Sequence, residues 1–195
     1  VRNAIGMCVD RESFADVVYN GYATASYGIY PETLPYGSTE GMENAVTSYD
    51  PEGAAELLKE AGYEDTDNDG ILDKDGEPLS LHAITYTECL QLADMMQAEL
   101  GAIGIDMQIE TFDVLDDPLA NGEFDVALLN YAMAPTGSAQ YMVSMMFETG
   151  SSNNYGHYSN ATVDELSEKL KATFDETERT DIAKQICAEL VKDRA

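Results

Sequence analysis

The chain has 195 residues, 44% of them hydrophobic, which is enough to bury one good core, and its mean hydropathy of -0.28 leaves no apolar run long enough to cross a membrane as a helix. Thirty-seven acidic residues against 10 basic ones give a net charge of -27, which argues against nucleic acid or an anionic membrane as partner and reads as a solvated acidic surface.

Residues 2–19 read as one broken or two abutting helices: Asp10 suits an N-cap, Phe14, Val17 and Val18 are expected to face inward, and Asn20-Gly21 ends the run. From residue 22 to 49 no period appears, and Tyr22, Tyr27, Tyr30, Pro31, Pro35 and Tyr36 crowd the segment. A loop of that length is usually functional or wraps another element, so a tyrosine-pinned tether and a ligand contact both stand open. Next comes a helix over 51–61, with Asp50 as cap, Pro51 at the first helical position, Ala54, Leu57, Leu58 and Ala61 on one face, and Gly62 as the stop. An acidic loop follows.

Alternation predicts a strand over 79–86, and an amphipathic helix over 88–102 carries Leu92, Met95, Met96 and Leu100. A second strand runs over 105–112. Strand, helix and strand at this spacing form a βαβ unit, hence a parallel pair. The nearly continuous apolar run 124–130 is a third strand, of the kind expected at a sheet centre. Helices follow at 138–148, 162–173 and 176–193. The fold class is α/β, a mixed sheet with covering helices, in a single domain spanning 1–195.

Several motifs, in order, resemble family 5 of the extracytoplasmic solute-binding proteins, the ligand-capturing subunits of ABC importers. The stretch YDPEGAAELLKEAGYEDTDNDGILDKDGEPL, residues 49–79, is similar to the family's YDP…LL…AG…DG-x-PL block. The opening VRNAIGMCVDR, LGAIGI at 100–105, GEFDVA at 122–127, YSNATVDEL at 158–166 and DETER at 175–179 each match a family motif in turn. The resemblance implies one lobe, the second, of a two-lobed protein whose first lobe is absent here. Val1 follows no start signal and residues 190–195 carry no cap, so the chain is expected to be a piece of a longer protein. It also implies an extracytoplasmic place, in the periplasm or anchored at the cell surface as a lipoprotein. Its partners would be a small-molecule ligand and the permease subunits of an ABC transporter.

In open α/β sheets ligands lie beyond the carboxyl ends of strands, so the stretch after 124–130 is the best site candidate. Tyr131, Met133 and Thr136 are expected to line it, with Tyr155 and His157 as second contributors: aromatic faces, a thioether and hydroxyls suit a chelate or a peptide. The alternative for Tyr131 and Met133 is packing against the core. Dipeptide-binding relatives are expected to have a W-x-x-D here, and this chain has Tyr131-Ala-Met-Ala134; Ala134-Pro135 and Leu34-Pro-Tyr36 resemble nickel-type relatives. The function implied is import of nickel chelates or short peptides.

Asp65, Asp67, Asp69 and Asp73, with Gly70, match the first nine positions of a calcium loop, but Gly76 stands where a bidentate Glu would complete it. Calcium is thus a possible ligand and no cofactor is required; a tight Asp/Gly turn is the other reading. His82 reads as a structural strand histidine. Cys8, Cys89 and Cys187 have no metal or redox spacing and read as small buried or half-buried thiols. No nucleophile motif, HExxH, P-loop or Rossmann pattern is present, so the chain does not read as an enzyme. Two rival classes are an acidic-cleft hydrolase, which needs paired carboxylates such as Asp116-Asp117, and a calcium-binding structural or adhesion module, which rests on one aspartate loop.

Overall fold

The computed structural model of the chain describes residues 1–40, 42, 46–132 and 137–195. These residues group into two compact units, 1–25 with 47–130 and 26–46 with 131–195. Composition suggested one core; the buried side chains instead form two clusters, one in each unit. The segment without periodicity is the physical reason, because residues 26–46 carry Tyr30 and Tyr36 into the second cluster.

The first unit opens with two abutting helices, α1 (Arg2–Cys8) and α2 (Arg11–Tyr19). The Asp10 carboxylate accepts from the Ser13 N–H at 3.1 Å, the expected cap, and Asn20 ends α2 in the left-handed region. Phe14 is buried, but Val17 is 53% exposed: with only one side of this short helix covered, a residue three positions on falls at the flank. Helix α3 (Pro51–Glu60) is held by the Asp50 carboxylate on the Gly53 N–H at 2.9 Å. Ala54 and Leu58 are its buried pair, while Leu57 and Ala61 lie outside, so its apolar face is narrower than the sequence suggested. Ala4, Cys8, Ala54 and Leu58 belong to the first core together with the sheet and its covering helix.

That sheet has three parallel strands in the order β4-β3-β5, with β3 (Ser80–Tyr86) between β4 (Asp106–Phe112) and β5 (Val126–Leu128). Ser80 is opposite Asp106 and Ala83 opposite Val126. The crossover helix α4 (Leu90–Gly101) buries Ala93, Met96 and Leu100, in one core with Leu81, Ala83 and Met107. The central strand is therefore β3, and β5 is a three-residue edge, contrary to the expectation for 124–130. Val126 and Leu128 pack on the core, so the apolar run reports burial of one face rather than a central position.

Among the described residues, antiparallel pairing forms a separate hairpin, β1 (Asp73–Lys74) with β2 (Glu77–Pro78), and a bridge between Glu64 and Asp73. Its turn residues Asp75 and Gly76 both have positive φ, the geometry that suits the twist of a two-residue hairpin. Nearby, Gly104 has φ +82° and an added Cβ would stand 2.7 Å from Leu72 Cγ; the Leu72 N–H donates to the Gly104 carbonyl at 2.8 Å, so only glycine serves there. A short helix α5 (Asp116–Asn121), absent from the sequence reading, ends at Gly122 in the left-handed region.

In the second unit α6 (Ala139–Met142) runs into a π-helical turn, Val143–Phe147, and is followed by α7 (Ala161–Ala172) and α8 (Glu176–Asp193). Val163, Leu170, Ile182, Ile186 and Leu190 form its core with Met142 and Val143. Tyr30 meets Tyr36 edge to face at 4.8 Å, and their hydroxyls donate to the carbonyls of Ala139 and Gly137. Of the two readings of the long loop, these two tyrosines follow the tether. The Arg179 guanidinium donates to the Leu170 and Thr173 carbonyls, each at 2.7 Å, and so satisfies the free end of α7.

Candidate ligand-binding site

Three residues beyond β5 along the chain, Tyr131 is half-buried, its ring packed against the second core. Its hydroxyl accepts from Asn153 Nδ2 at 2.7 Å. That bond joins the post-strand segment to the polar loop 148–160, which carries Tyr155 and His157. Met133 and Thr136, like Ala134-Pro135, lie outside the described residues.

The loop is held by its own polar groups. At its start Glu148 accepts from Ser144 at 2.9 Å and from Ser167, and pairs with Lys171 at 2.8 Å. Burial alone would raise the Glu148 carboxyl, but the bonds from Lys171, Ser167 and Ser144 outweigh it and hold it below the usual range. Thr149 gives its N–H and hydroxyl to Asp164. The π-turn contributes the Met145 carbonyl, which accepts from Ser151 Oγ at 2.9 Å and from the Asn153 N–H at 3.2 Å. Asn154 is buried; it donates to the Tyr158 carbonyl at 2.7 Å and accepts from the Tyr158 N–H at 2.9 Å. This ring of bonds sets His157 at φ +51° with its side chain exposed. At the far end the Tyr158 hydroxyl donates to Asp193 at 2.7 Å, and burial together with this carboxylate pushes the phenol well above its ordinary range.

Of the expected ligand residues, then, Tyr131 and the loop bearing Tyr155 and His157 come together within the second unit. Asn153, the residue that joins them, was not singled out from sequence. Its only signal was its place in the run Ser151-Ser-Asn-Asn154, where any of four polar side chains had an equal claim.

The acidic loop gathers Asp65, Asp67 and Asp73, with one oxygen from each within 4.8 Å of the others; Asp69 is not in the group. Calcium takes about six to eight oxygens, and this set gives three carboxylates. The loop is also closed by its own amides: Asp65 accepts from Asn68 at 2.7 Å and Gly70 at 3.1 Å, Asp69 from Ile71 at 2.8 Å, and Asp73 from both the N–H and hydroxyl of Thr66. Those Thr66 bonds hold the Asp73 carboxyl below its usual range.

His82 sits in β3 with Nδ1 2.8 Å from the Glu123 carbonyl and Nε2 3.1 Å from Glu110, satisfied as a strand histidine should be. It borders a groove of about 620 Å³ with Ile84, Glu110, Phe112, Asp116 and Glu123. A smaller groove in the second unit, about 330 Å³, runs between Tyr36, Ser138, Leu170, Glu176 and Arg179. All three cysteines are free thiols. The buried Cys8 Sγ–H donates to the Glu99 carbonyl, and burial followed by the Glu99 charge pushes it up to about 11.

Residues 1–154 match the family described as bacterial extracellular solute-binding proteins, family 5, middle portion. The chain belongs to this family. Among curated relatives of this family 5 chain, the nickel-binding protein NikA of Staphylococcus aureus is 27% identical over 190 residues, covering 95% of the chain and 36% of NikA. The oligopeptide-binding protein AppA of Bacillus subtilis is 29% identical over 202 residues, covering 100% of the chain and 37% of AppA. The solved structure of the S. aureus NikA in complex with Ni(L-His)2 superposes with a TM-score of 0.83 at 26% identity, over 99% of this chain and 39% of that one. The chain thus spans little more than a third of the relatives it matches, and its α/β architecture matches one portion of their fold.

Proposed function

We propose that this chain is the second lobe of an extracytoplasmic cargo-binding protein that captures a nickel chelate or a short peptide and delivers it to the permease of an ABC importer. Membership of family 5 over residues 1–154 carries the reading. The relatives with that sequence pattern are binding proteins by name, one for nickel and one for oligopeptides. Two-lobed binding proteins close about a hinge, each lobe contributing part of the cleft. The contribution of this lobe is the segment after β5, with Tyr131, Met133 and Thr136, supported by Tyr155 and His157.

Binding rather than catalysis suits the groups present. Tyr131 and Tyr155 offer aromatic faces and hydroxyls, and His157 an imidazole, which serve recognition of a chelate or peptide. No cofactor is needed for that task.

The test is cargo binding by the full-length protein, measured by calorimetry with nickel–histidine and with a short peptide. Tyr131→Ala is expected to weaken binding with only a modest loss of thermal stability, from the part of its ring that packs on the second core. Unchanged affinity would put the site elsewhere, and a collapse of stability would make Tyr131 a core residue.

A further inference from the structure

We propose that Asn153 is a positioning residue that aims the Tyr131 hydroxyl, so that this hydroxyl gives its proton to an oxygen acceptor on the cargo; the inference deepens the function proposed above and rests on it. Asn153 Nδ2 donates to Tyr131 Oη at 2.7 Å. Its amide is oriented by Ser152, whose Oγ donates to Asn153 Oδ1 at 2.9 Å. An oxygen that accepts from Asn153 keeps its own O–H to donate, and that proton has no acceptor among the described residues.

The support beneath Asn153 is built into the fold. The helical run ends at Phe147, so the Met145 carbonyl falls in its last turn, where carbonyls have no partner within the helix. That carbonyl accepts instead from both Ser151 Oγ and the Asn153 N–H, which ties the loop to the helix end. The neighbouring Asn154 is buried and bonded to Glu148 and Tyr158, so the backbone on the other side of Asn153 is fixed as well. A side chain on so anchored a stretch holds its partner with little loss of freedom on binding, which is how preorganisation improves affinity.

The cargo chemistry follows from the direction of the bond. A free O–H donor selects a carbonyl or carboxylate oxygen, which a peptide and an amino-acid chelator of a metal both present. It gives nothing to a cationic group or to a bare aqua ion.

The experiment uses the full-length protein, with Tyr131→Phe, Asn153→Ala and the double variant. The probes are the nickel–histidine complex, nickel with imidazole alone, and tri-alanine. In the Tyr131 background Asn153→Ala is expected to weaken the carboxylate-bearing probe that binds by about 3- to 10-fold, the scale of one hydrogen bond. In the Tyr131→Phe background it should change affinity by less than about 1.5-fold, because the coupled partner is gone. Nickel–imidazole, lacking an oxygen acceptor, should not distinguish Tyr131 from Phe. A readout without cargo is the ¹⁹F resonance of 3-fluorotyrosine placed at 131, which Asn153→Ala should shift or broaden. An unmoved resonance overturns the positioning role, and so do equal losses in both backgrounds, which mark Asn153 as merely structural. A moved resonance with no binding of any probe overturns the cargo reading and with it the donor role, a failure distinct from the first two.

Discussion

Glu148 shows what a single carboxylate does for this chain. It receives Ser144, Ser167 and Lys171 at the start of the loop that carries Asn153, Tyr155 and His157. Its folded pKa lies below its unfolded one, so it adds stability above the ordinary glutamate range of about 4.3 and loses that contribution as pH falls through the lower folded value. Glu148→Gln is accordingly expected to cost about 1–2 kcal/mol at neutral pH and to flatten the acid limb of the stability profile, as read by chemical denaturation across pH. An unchanged acid limb would mean that other carboxylates govern it. The aspartate loop carries the opposite expectation. With its carboxylates already bonded to backbone amides, millimolar calcium should move Tm by less than about 2 °C, whereas an ion bound to the folded state alone would raise it by more. Sequence pointed to these aspartates as one loop, yet it gave no way to see that amides of the same loop would take up their oxygens.

Elements were legible where local chemistry decides them. Asp10, Asp50 and Asp175 each stand before a helix and accept from the amide three residues on, and α7 and α8 fall within a residue of the expected bounds. Asp50→Ala should therefore cost about 1 kcal/mol, measured as a shift of the denaturation midpoint without change of slope. Less legible were the elements set by partners far along the chain. The rank of β5 as an edge depends on β3 pairing on both sides, and α5 is too short for any period to show. Thr85 illustrates the tertiary term: fully buried in β3, its hydroxyl donates to the Leu128 carbonyl of β5 at 2.9 Å. Thr85→Val keeps the shape and strips that carbonyl of its extra donor, with an expected loss of about 1–3 kcal/mol. A neutral substitution would show that water replaces the bond. Which side chain would take up the Met145 carbonyl at the helix end depends on the fold of the loop 148–160, so the support beneath Asn153 had no signature in the sequence.

At the scale of the whole molecule, the family was readable because its motifs mark caps, turns and strand ends, positions where backbone geometry restricts the residue. The division into two cores was not, since composition counts apolar residues without saying which cluster receives them; Tyr30 and Tyr36 decide it by joining the second. The net charge of -27 implies that this chain repels itself, so its stability should rise with monovalent salt as the repulsion is screened. As the proposed second lobe, this chain would offer only part of a cleft, and alone it should bind the same probes far more weakly than the full-length protein does. Capture of a nickel chelate or peptide can be read by native mass spectrometry of the full-length protein, purified without added ligand and then given nickel–histidine or a peptide mixture. The expected result is a bound species with the mass of a nickel chelate or a short peptide, reduced by Tyr131→Ala; a protein that stays ligand-free under every condition would rule such capture out.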